Sequence, residues 1–252
     1  NVADTEILHL VSINISPHTT AKFRDMFRLN TFFIGKAARS VVASGDADYT
    51  PIFISEIPKL IRNGRIPIDV AIVQVTPPDP FGNCSLGVSV ETSLEAIRQA
   101  KVVIAQVNTH MPRTLGNSFV SVTDLDYIIP HDEPILEFGV EATDAISDRI
   151  GFYVSRLIPN GATIQAGIGK IPNAVLANLK DKRNLGVHTE MFSDGRIDLY
   201  ESGAINNSCK SSHPGKIIAA FCLGTRDLYD TFDNNPAFEF YPTDYVSDPR
   251  NI

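Results

Sequence analysis

The sequence predicts an α/β protein built from two open, mainly parallel-sheet domains. Its 252 residues exceed the length of one typical domain, which favours two units. Strand and helix patterns alternate along the chain, which is typical of parallel sheets. Val70–Val75 (VAIVQV) and Val102–Val107 (VVIAQV) are near-continuous apolar runs, as expected for parallel strands covered on both faces.

The elements of the first half follow one another without a repeat. Helices are predicted where apolar residues recur at helical spacing, and Gly45 and Gly64 end two of them. Arg24 and Arg28 are expected on the solvent side of the first helix. The predicted strands are Glu6–Ile13, Thr31–Ile34, Asp48–Ser55, Val70–Val75, Val102–Val107, Val120–Val122 and Tyr127–Ile129, and the predicted helices are Ala21–Phe27, Lys36–Ser44, Glu56–Asn63 and Ser93–Ala100.

An acidic segment with a proline and a glycine, His131–Asp148, is predicted to link the two domains. The amphipathic helix Ala145–Leu157 follows, with an apolar face formed by Ile146, Ile150, Val154 and Leu157. The later predictions are strands Ala162–Ala166, Leu185–His188 and Lys216–Cys222, helices Asn173–Lys180 and Ile197–Glu201, and packing segments Asp227–Asp233 and Phe238–Tyr241.

Composition narrows the classes of function. The net charge of −7, from 22 basic and 29 acidic residues, argues against a nucleic-acid surface. No stretch approaches the roughly eighteen apolar residues of a membrane helix, so a soluble protein is predicted. Cys84, Cys209 and Cys222 form no CxxC pair, which favours a reducing cytoplasm or organelle matrix, and we expect a cytoplasmic protein. The chain begins at Asn1 without a signal peptide, and we expect it to be incomplete.

The chemical centre is predicted around a glycine-rich turn. Ala162–Ala166 runs as a strand into Gly167-Ile168-Gly169, and a helix opens near Pro172. Glycines let a ligand approach the backbone, and free N–H groups at a helix start attract phosphate or an oxyanion. A simple strand-to-helix connection explains the same pattern, because a lone glycine motif is weak.

Glu190 is the candidate catalytic residue. It follows the predicted strand Leu185–His188 and lies 23 positions after Gly167 (190 − 167 = 23). A carboxylate ionised at pH 7 can act as nucleophile, general base or metal ligand. His188-x-Glu190 also matches part of a zinc deaminase motif, but the chain lacks the PCxxC partner. Metal ligands are therefore not assigned.

Two loops at the ends of the buried strands are secondary candidates. Pro77–Ser89 follows Val70–Val75 and either walls a ligand site or forms a structural hairpin. Arg113, in the loop after Val102–Val107, either meets an anion or lies at the surface. Ser85 and Ser193 lie in no nucleophile elbow, and the thiols have no catalytic signature.

Gly167–Leu176 (GIGKIPNAVL) and Leu185–Gly195 (LGVHTEMFSDG) resemble the acetyl-CoA hydrolase/transferase family, especially its 4-hydroxybutyrate (butyryl) CoA-transferase branch. The resemblance runs essentially end to end. Its other segments are Ala47–Pro58 (ADYTPIFISEIP), Pro67–Asp79 (PIDVAIVQVTPPD), Gly82–Ser89 (GNCSLGVS), Ala105–Gly116 (AQVNTHMPRTLG) and Phe221–Pro236.

The resemblance implies a CoA-transferase-like fold and a role for each site residue. Residues 1–138 correspond to an N-terminal domain lacking its start, and residues 139–252 to the first part of the C-terminal domain. Glu190 would be the nucleophile that forms a glutamyl-CoA thioester. Gly167, Ile168, Gly169, Lys170 and Ile171 match the family's CoA-binding segment. A further glycine-rich turn of the family's carboxyl-terminal half has no counterpart here.

The implied substrates are coenzyme A as its acyl thioester, namely acetyl-CoA, butyryl-CoA or 4-hydroxybutyryl-CoA, and a short-chain carboxylate. No permanently bound cofactor is expected, and homo-oligomer formation stays open. Three alternatives remain: an acetyl-CoA hydrolase, a metabolite-binding module without turnover and, by fold analogy, a sugar-phosphate isomerase. Glu190 separates enzyme from binding module, since a module needs no unpaired carboxylate there.

Overall fold

A computed structural model describes residues 4–11, 21–23, 25–35 and 38–252, and the chain divides into two compact units, 1–57 and 58–252. The first unit holds a parallel three-stranded sheet in the order β1-β2-β3, with Leu29, Ala38 and Ala47 as its buried core. Its elements are β1 (Thr5–His9), β2 (Phe27–Thr31), α1 (Arg39–Ala43) and β3 (Ala47–Tyr49), with a 3₁₀ turn at Ala21–Phe23.

Three predictions in the first unit are wrong. The predicted strand Thr31–Ile34 is not formed, because the strand in this part of the chain, β2, ends at Thr31. The predicted helix Ala21–Phe27 is only a 3₁₀ turn, and Arg28 lies in β2, where its guanidinium pairs with Asp48. Pairing with a strand on each side overrides the local helical spacing. The predicted strand Asp48–Ser55 is cut to β3, because Pro51 cannot donate to a ladder. Arg24 and residues 12–13 lie outside the described residues.

The second unit contains two main parallel sheets, which confirms the predicted α/β class. One has the order β4-β6-β9 and the other β10-β11-β12-β13-β7, and β5 pairs with β8 antiparallel. Its first elements are α2 (Ile57–Arg62, at the unit boundary), β4 (Val70–Val75), β5 (Asn83–Ser85), α3 (Ser93–Gln99), β6 (Val102–Val107), β7 (Leu115–Gly116), β8 (Phe119–Ser121) and β9 (Tyr127–Pro130).

The remaining elements alternate strand and helix. They are α4 (Ala145–Leu157), β10 (Thr163–Ile164), α5 (Lys170–Ala177), β11 (Gly186–Phe192), α6 (Ile197–Glu201), β12 (Ile217–Cys222), α7 (Arg226–Phe232), β13 (Phe238–Phe240) and α8 (Thr243–Val246). A 3₁₀ turn, Asp194–Arg196, leads from β11 to α6. Across the described residues no helix has the length and apolar character needed to span a membrane.

The strands predicted at Val70–Val75 and Val102–Val107 are confirmed in their bounds, but burial on both faces is not. Val70 is 49% exposed and Ile72 78% exposed, so one face of β4 is open. The other face joins a core that also includes Val187 and Phe192 of β11. Aromatic rings of β11, α7 and β13 meet edge-to-face in this core, with centroids 4.8 to 5.6 Å apart.

The predicted interdomain linker has no regular structure before α4, yet it is held in place. The Asn108 amide donates to the carbonyl of Glu133 at 2.6 Å, and the Tyr229 hydroxyl donates to that of Leu136 at 2.8 Å. The short strand β7 precedes the linker and pairs with β13 after it, whereas β4, β6 and β9 keep a separate sheet. The domain boundary at residue 138 stays a prediction.

The predicted helix Ala145–Leu157 has the bounds of α4, but the face assigned to packing is wrong. Ile146 and Leu157 are 74% and 82% exposed, whereas Ser147, Gly151 and Ser155 are buried. A Cβ at Gly151 would lie 2.5 Å from the carbonyl carbon of Ala174 in α5. The two helices pack through small residues, which leaves the larger aliphatic side chains outside.

Candidate active site

Glu190 lies inside a strand rather than after one. The Val187–Phe192 run is rich in strand-forming residues, and β11 continues four residues past the predicted end at His188. Side chains alternate between the faces of a strand, so Glu190 shares a face with His188. The His188 ring nitrogen Nε2 lies 2.7 Å from the carbonyl of Val246, which fixes α8 against this face.

The carboxylate of Glu190 is half-buried and has no hydrogen-bond or ion-pair partner among the described residues. Desolvation by burial raises its pKa. A carboxylate that is removed from water but not bound to a donor keeps its lone pairs available. This environment suits a nucleophile better than a structural glutamate, which would pair with a donor.

The glycine turn connects β10 to α5 at the carboxyl end of the sheet. α5 begins at Lys170, three residues before the predicted start, and Gly169 is its N-cap. Glycine has no side chain with which to cap the helix, and Pro172 has no N–H. Among the described residues, the N–H groups of Lys170 and Ile171 are therefore left for another acceptor. Gly169 has φ +105°, a conformation that favours glycine.

Gly167 has no such structural requirement. Its φ lies outside the left-handed region, and a Cβ built there would have no atom within 4 Å. Neither backbone strain nor packing among the described residues therefore calls for a glycine. A glycine at this position leaves the backbone open to the close approach of a ligand.

Strand register brings the turn beside Glu190. Thr163 pairs with Gly186 and Ile164 with Val187, an offset of 23 residues between β10 and β11. Continued by three residues, the same register places Gly167 level with Glu190. The Thr189 hydroxyl lies 3.3 Å from the carbonyl of Ala166, which agrees with this register one residue before the turn.

The three residues of the predicted CoA segment that are not glycine border a cavity of about 450 Å³ beside the turn. Ile168 and Ile171 are 50% and 45% exposed, and Lys170 reaches Asp144 with 3.2 Å between Nζ and Oδ2. Hydrogen bonds from Ser147 and then Lys170 lower the pKa of Asp144 to about 2. The cavity is lined by Glu141, Asp144, Ile146, Ser147, Ile150, Ile168, Lys170, Ile171 and Pro172.

The family model described as the acetyl-CoA hydrolase/transferase N-terminal domain matches residues 1–138, more than half of the chain. The chain belongs to the acetyl-CoA hydrolase/transferase family. The 4-hydroxybutyrate coenzyme A transferase of Clostridium kluyveri is 47% identical over all of this chain and 59% of its own length. The resemblance read from the sequence is confirmed.

Two further relatives support the assignment to the acetyl-CoA hydrolase/transferase family. A CoA transferase of Fasciola hepatica, named for succinyl-CoA:acetate and propanoyl-CoA:succinate, is 40% identical over 99% of this chain and 52% of its own length. The crystal structure of a 4-hydroxybutyrate CoA-transferase from Porphyromonas gingivalis superposes with a TM-score of 0.81 at 34% identity, over 99% of this chain and 66% of that one. The chain spans about half to two thirds of these proteins.

The two secondary candidates have different surroundings. Arg113 pairs with Asp79 at 2.8 Å and stacks over Phe119, so its charge is already neutralised. Phe81 is 89% exposed, whereas the other end of its loop reaches the active-site sheet. There the Val90 amide donates to the carbonyl of Ala220 in β12 at 3.2 Å. No metal-binding group of His, Cys, Asp or Glu is found in the described ranges.

Sequence reasoning missed two buried charged residues of this region. Arg196 is fully buried at the end of β11, and Glu91 is buried next to Ser89, whose hydroxyl donates to it at 2.7 Å. Nothing in the local pattern marks either one, because both stand in segments that read as ordinary helix starts. Only burial distinguishes them from surface charges.

Proposed function

We propose that this protein is a CoA-transferase that moves coenzyme A between an acyl-CoA and a short-chain carboxylate. The observation that carries the proposal is the unpaired carboxylate of Glu190, level with a glycine turn whose first glycine is required by neither backbone nor packing. The names of the similar proteins support the same chemistry, and acetyl, butyryl or 4-hydroxybutyryl groups are the proposed acyl groups.

The proposed reaction exchanges one thioester for another of similar energy. The Glu190 carboxylate attacks the thioester carbonyl and the C–S bond breaks. CoA departs as its thiolate, and an acyl-glutamyl anhydride remains on the protein. The thiolate then attacks the glutamyl carbonyl, which releases the acyl group as a carboxylate and leaves a glutamyl-CoA thioester. An incoming carboxylate reverses both steps.

The glycine segment Gly167–Ile171 would serve as the CoA-binding wall. Backbone N–H groups at the turn and helix start are suited to a developing oxyanion or to phosphate. Val88–Val90, which lies along the end of β12, supports the proposal that the loop Phe81–Ser89 contributes an opposite wall. The three free thiols support a cytoplasmic location.

The test is covalent capture. Full-length protein incubated with acyl-CoA and no acceptor should gain the mass of CoA less water on the peptide that contains Glu190. Glu190→Gln should lose the adduct and at least about 10³-fold in turnover, since removing a catalytic group costs on this scale, while it retains CoA binding by calorimetry. Because burial raises the pKa of Glu190, the acid limb of kcat/KM should lie above the pH at which an exposed glutamate titrates.

Wild-type turnover by Glu190→Gln would contradict the assignment of the nucleophile. A wild-type adduct that decays in water as fast as in carboxylate would instead identify an acetyl-CoA hydrolase. CoA binding with neither adduct nor turnover would identify a binding module.

A further inference from the structure

Arg196 carries a buried positive charge that no carboxylate among the described residues neutralises. Its side chain is 0% exposed and lies at the end of the 3₁₀ turn that follows β11. One terminal nitrogen donates to the hydroxyl of Ser193 at 2.9 Å, and the ring of Phe192 lies 5.5 Å away. Within the described residues its Nε has no partner and no carboxylate pairs with it. Burial lowers its pKa to about 10, a further sign of an uncompensated charge.

A buried charge without a counter-ion costs stability, so the position of its donors matters. The second terminal nitrogen of Arg196 donates to the carbonyl of Ala166, the residue immediately before the glycine turn. The Thr189 hydroxyl lies 3.3 Å from the same oxygen and 3.1 Å from the carbonyl of Met191, and it has one proton for the two. The guanidinium of Arg196 is therefore the donor that the Ala166 carbonyl keeps when the hydroxyl turns to Met191.

Holding this carbonyl orients the next amide. The peptide between Ala166 and Gly167 is planar and trans, so the Gly167 N–H points opposite to the Ala166 carbonyl. The Ala166 carbonyl points toward its donors, so fixing this carbonyl also fixes the direction of the Gly167 N–H.

From this arrangement we propose that Arg196 is a positioning residue that, through the Ala166 carbonyl, fixes the orientation of the Gly167 N–H in the turn level with Glu190. The proposal rests on the proposed function of Glu190 as nucleophile. Arg196 itself does not contact substrate, because its side chain is closed off from solvent. Its donors act on the backbone of the turn, one residue from the first glycine.

The experiment compares Arg196→Met with wild type in the full-length protein. Methionine removes the donors and the buried charge but keeps an unbranched chain, so the melting temperature should be unchanged or higher. Formation of the CoA adduct at Glu190, followed by mass spectrometry, should slow about 10²-fold, the scale of a small misplacement of a catalytic group. KM should change little, and Arg196→Lys, which keeps one donor, should recover part of the rate.

Two comparisons keep the result interpretable. Arg28→Met removes an exposed guanidinium paired with Asp48 and should leave adduct formation unchanged. Thr189→Val removes the hydroxyl near the Ala166 carbonyl without changing charge, and it should slow adduct formation less than Arg196→Met because the guanidinium remains. Arg196→Lys replaces Arg196→Met if the methionine variant does not fold. A wild-type adduct rate in folded Arg196→Met, or in Arg196→Lys when it serves as the replacement, overturns the proposal.

Hydrogen exchange separates this proposal from the function of the site. In the absence of CoA, the peptide that contains Gly167 should exchange faster in Arg196→Met than in wild type, while the β12 peptide should not. If wild type forms no adduct, the proposed function fails, and this exchange comparison still tests the positioning role. Equal exchange in both proteins shows that Arg196 does not hold the turn.

Discussion

Glu91→Gln should stabilise the protein at alkaline pH and change its stability little at acid pH. Glu91 is 6% exposed, its Oε1 accepts from the hydroxyl of Ser89 at 2.7 Å, and its Oε2 has no partner among the described residues. Burial raises its pKa from near 4.5 to about 7, and the hydrogen bond from Ser89 opposes part of this rise. Glutamine keeps the shape and the acceptor for Ser89 but carries no charge.

The sign follows from proton uptake. Because the folded-state pKa of Glu91 lies above the unfolded one, the folded protein keeps a proton between about pH 4.5 and 7 that the unfolded chain has lost. The free energy of unfolding therefore falls as pH rises through this window. The pKa difference of 2.5 (7 − 4.5) between the folded and unfolded states lowers the free energy of unfolding by about 3 kcal/mol between acid pH and pH 8. Cys222 faces Glu91, and burial raises the pKa of this thiol, which stays neutral throughout.

Urea unfolding of wild type and Glu91→Gln at pH 5 and pH 8 measures the effect. The difference in free energy of unfolding, variant minus wild type, should be about 2 to 3 kcal/mol larger at pH 8 than at pH 5. Ser89→Ala removes the donor that favours the ionised carboxylate, so it should make the loss of stability between the two pH values larger. A Glu91→Gln difference that is equal at both pH values would show that the folded protein does not retain this proton.

The other predictions concern glycines. Gly169→Val should weaken CoA binding more than about tenfold, because valine is strained at φ +105° and the turn must move. The cause is backbone strain and not a clash, since the nearest atom to the added Cβ is 3.9 Å away. Wild-type affinity in the folded variant, measured by calorimetry, refutes this prediction. Gly167→Ala is the matched control without backbone strain, so its thermal unfolding should be unchanged. A loss of CoA affinity in this variant would then show that CoA lies against the turn, whereas full affinity would place CoA elsewhere. Gly151→Ala should cost about 1 to 3 kcal/mol in urea unfolding, since its Cβ would overlap Ala174, and wild-type stability would mean that α4 and α5 separate easily.

The sequence by itself determined the α/β class and the bounds of β4, β6, α4 and α6, whereas the residues of the chemical centre stay a prediction. These follow from short-range rules, because an apolar run or a glycine after a helix acts on its own neighbourhood. The interval of 23 residues between Gly167 and Glu190 was also visible in the sequence. Its meaning was not, since only the register of β10 on β11 turns that interval into adjacency.

Tertiary structure decided which faces are buried and which charges lie inside. The apolar residues of α4 were assigned to the core, but Gly151 allows so close an approach to α5 that the small residues form the contact. Arg196 and Glu91 read as surface charges, yet both are enclosed by elements distant in sequence. Periodicity records which residues share a face, and burial depends on what the rest of the chain places against it.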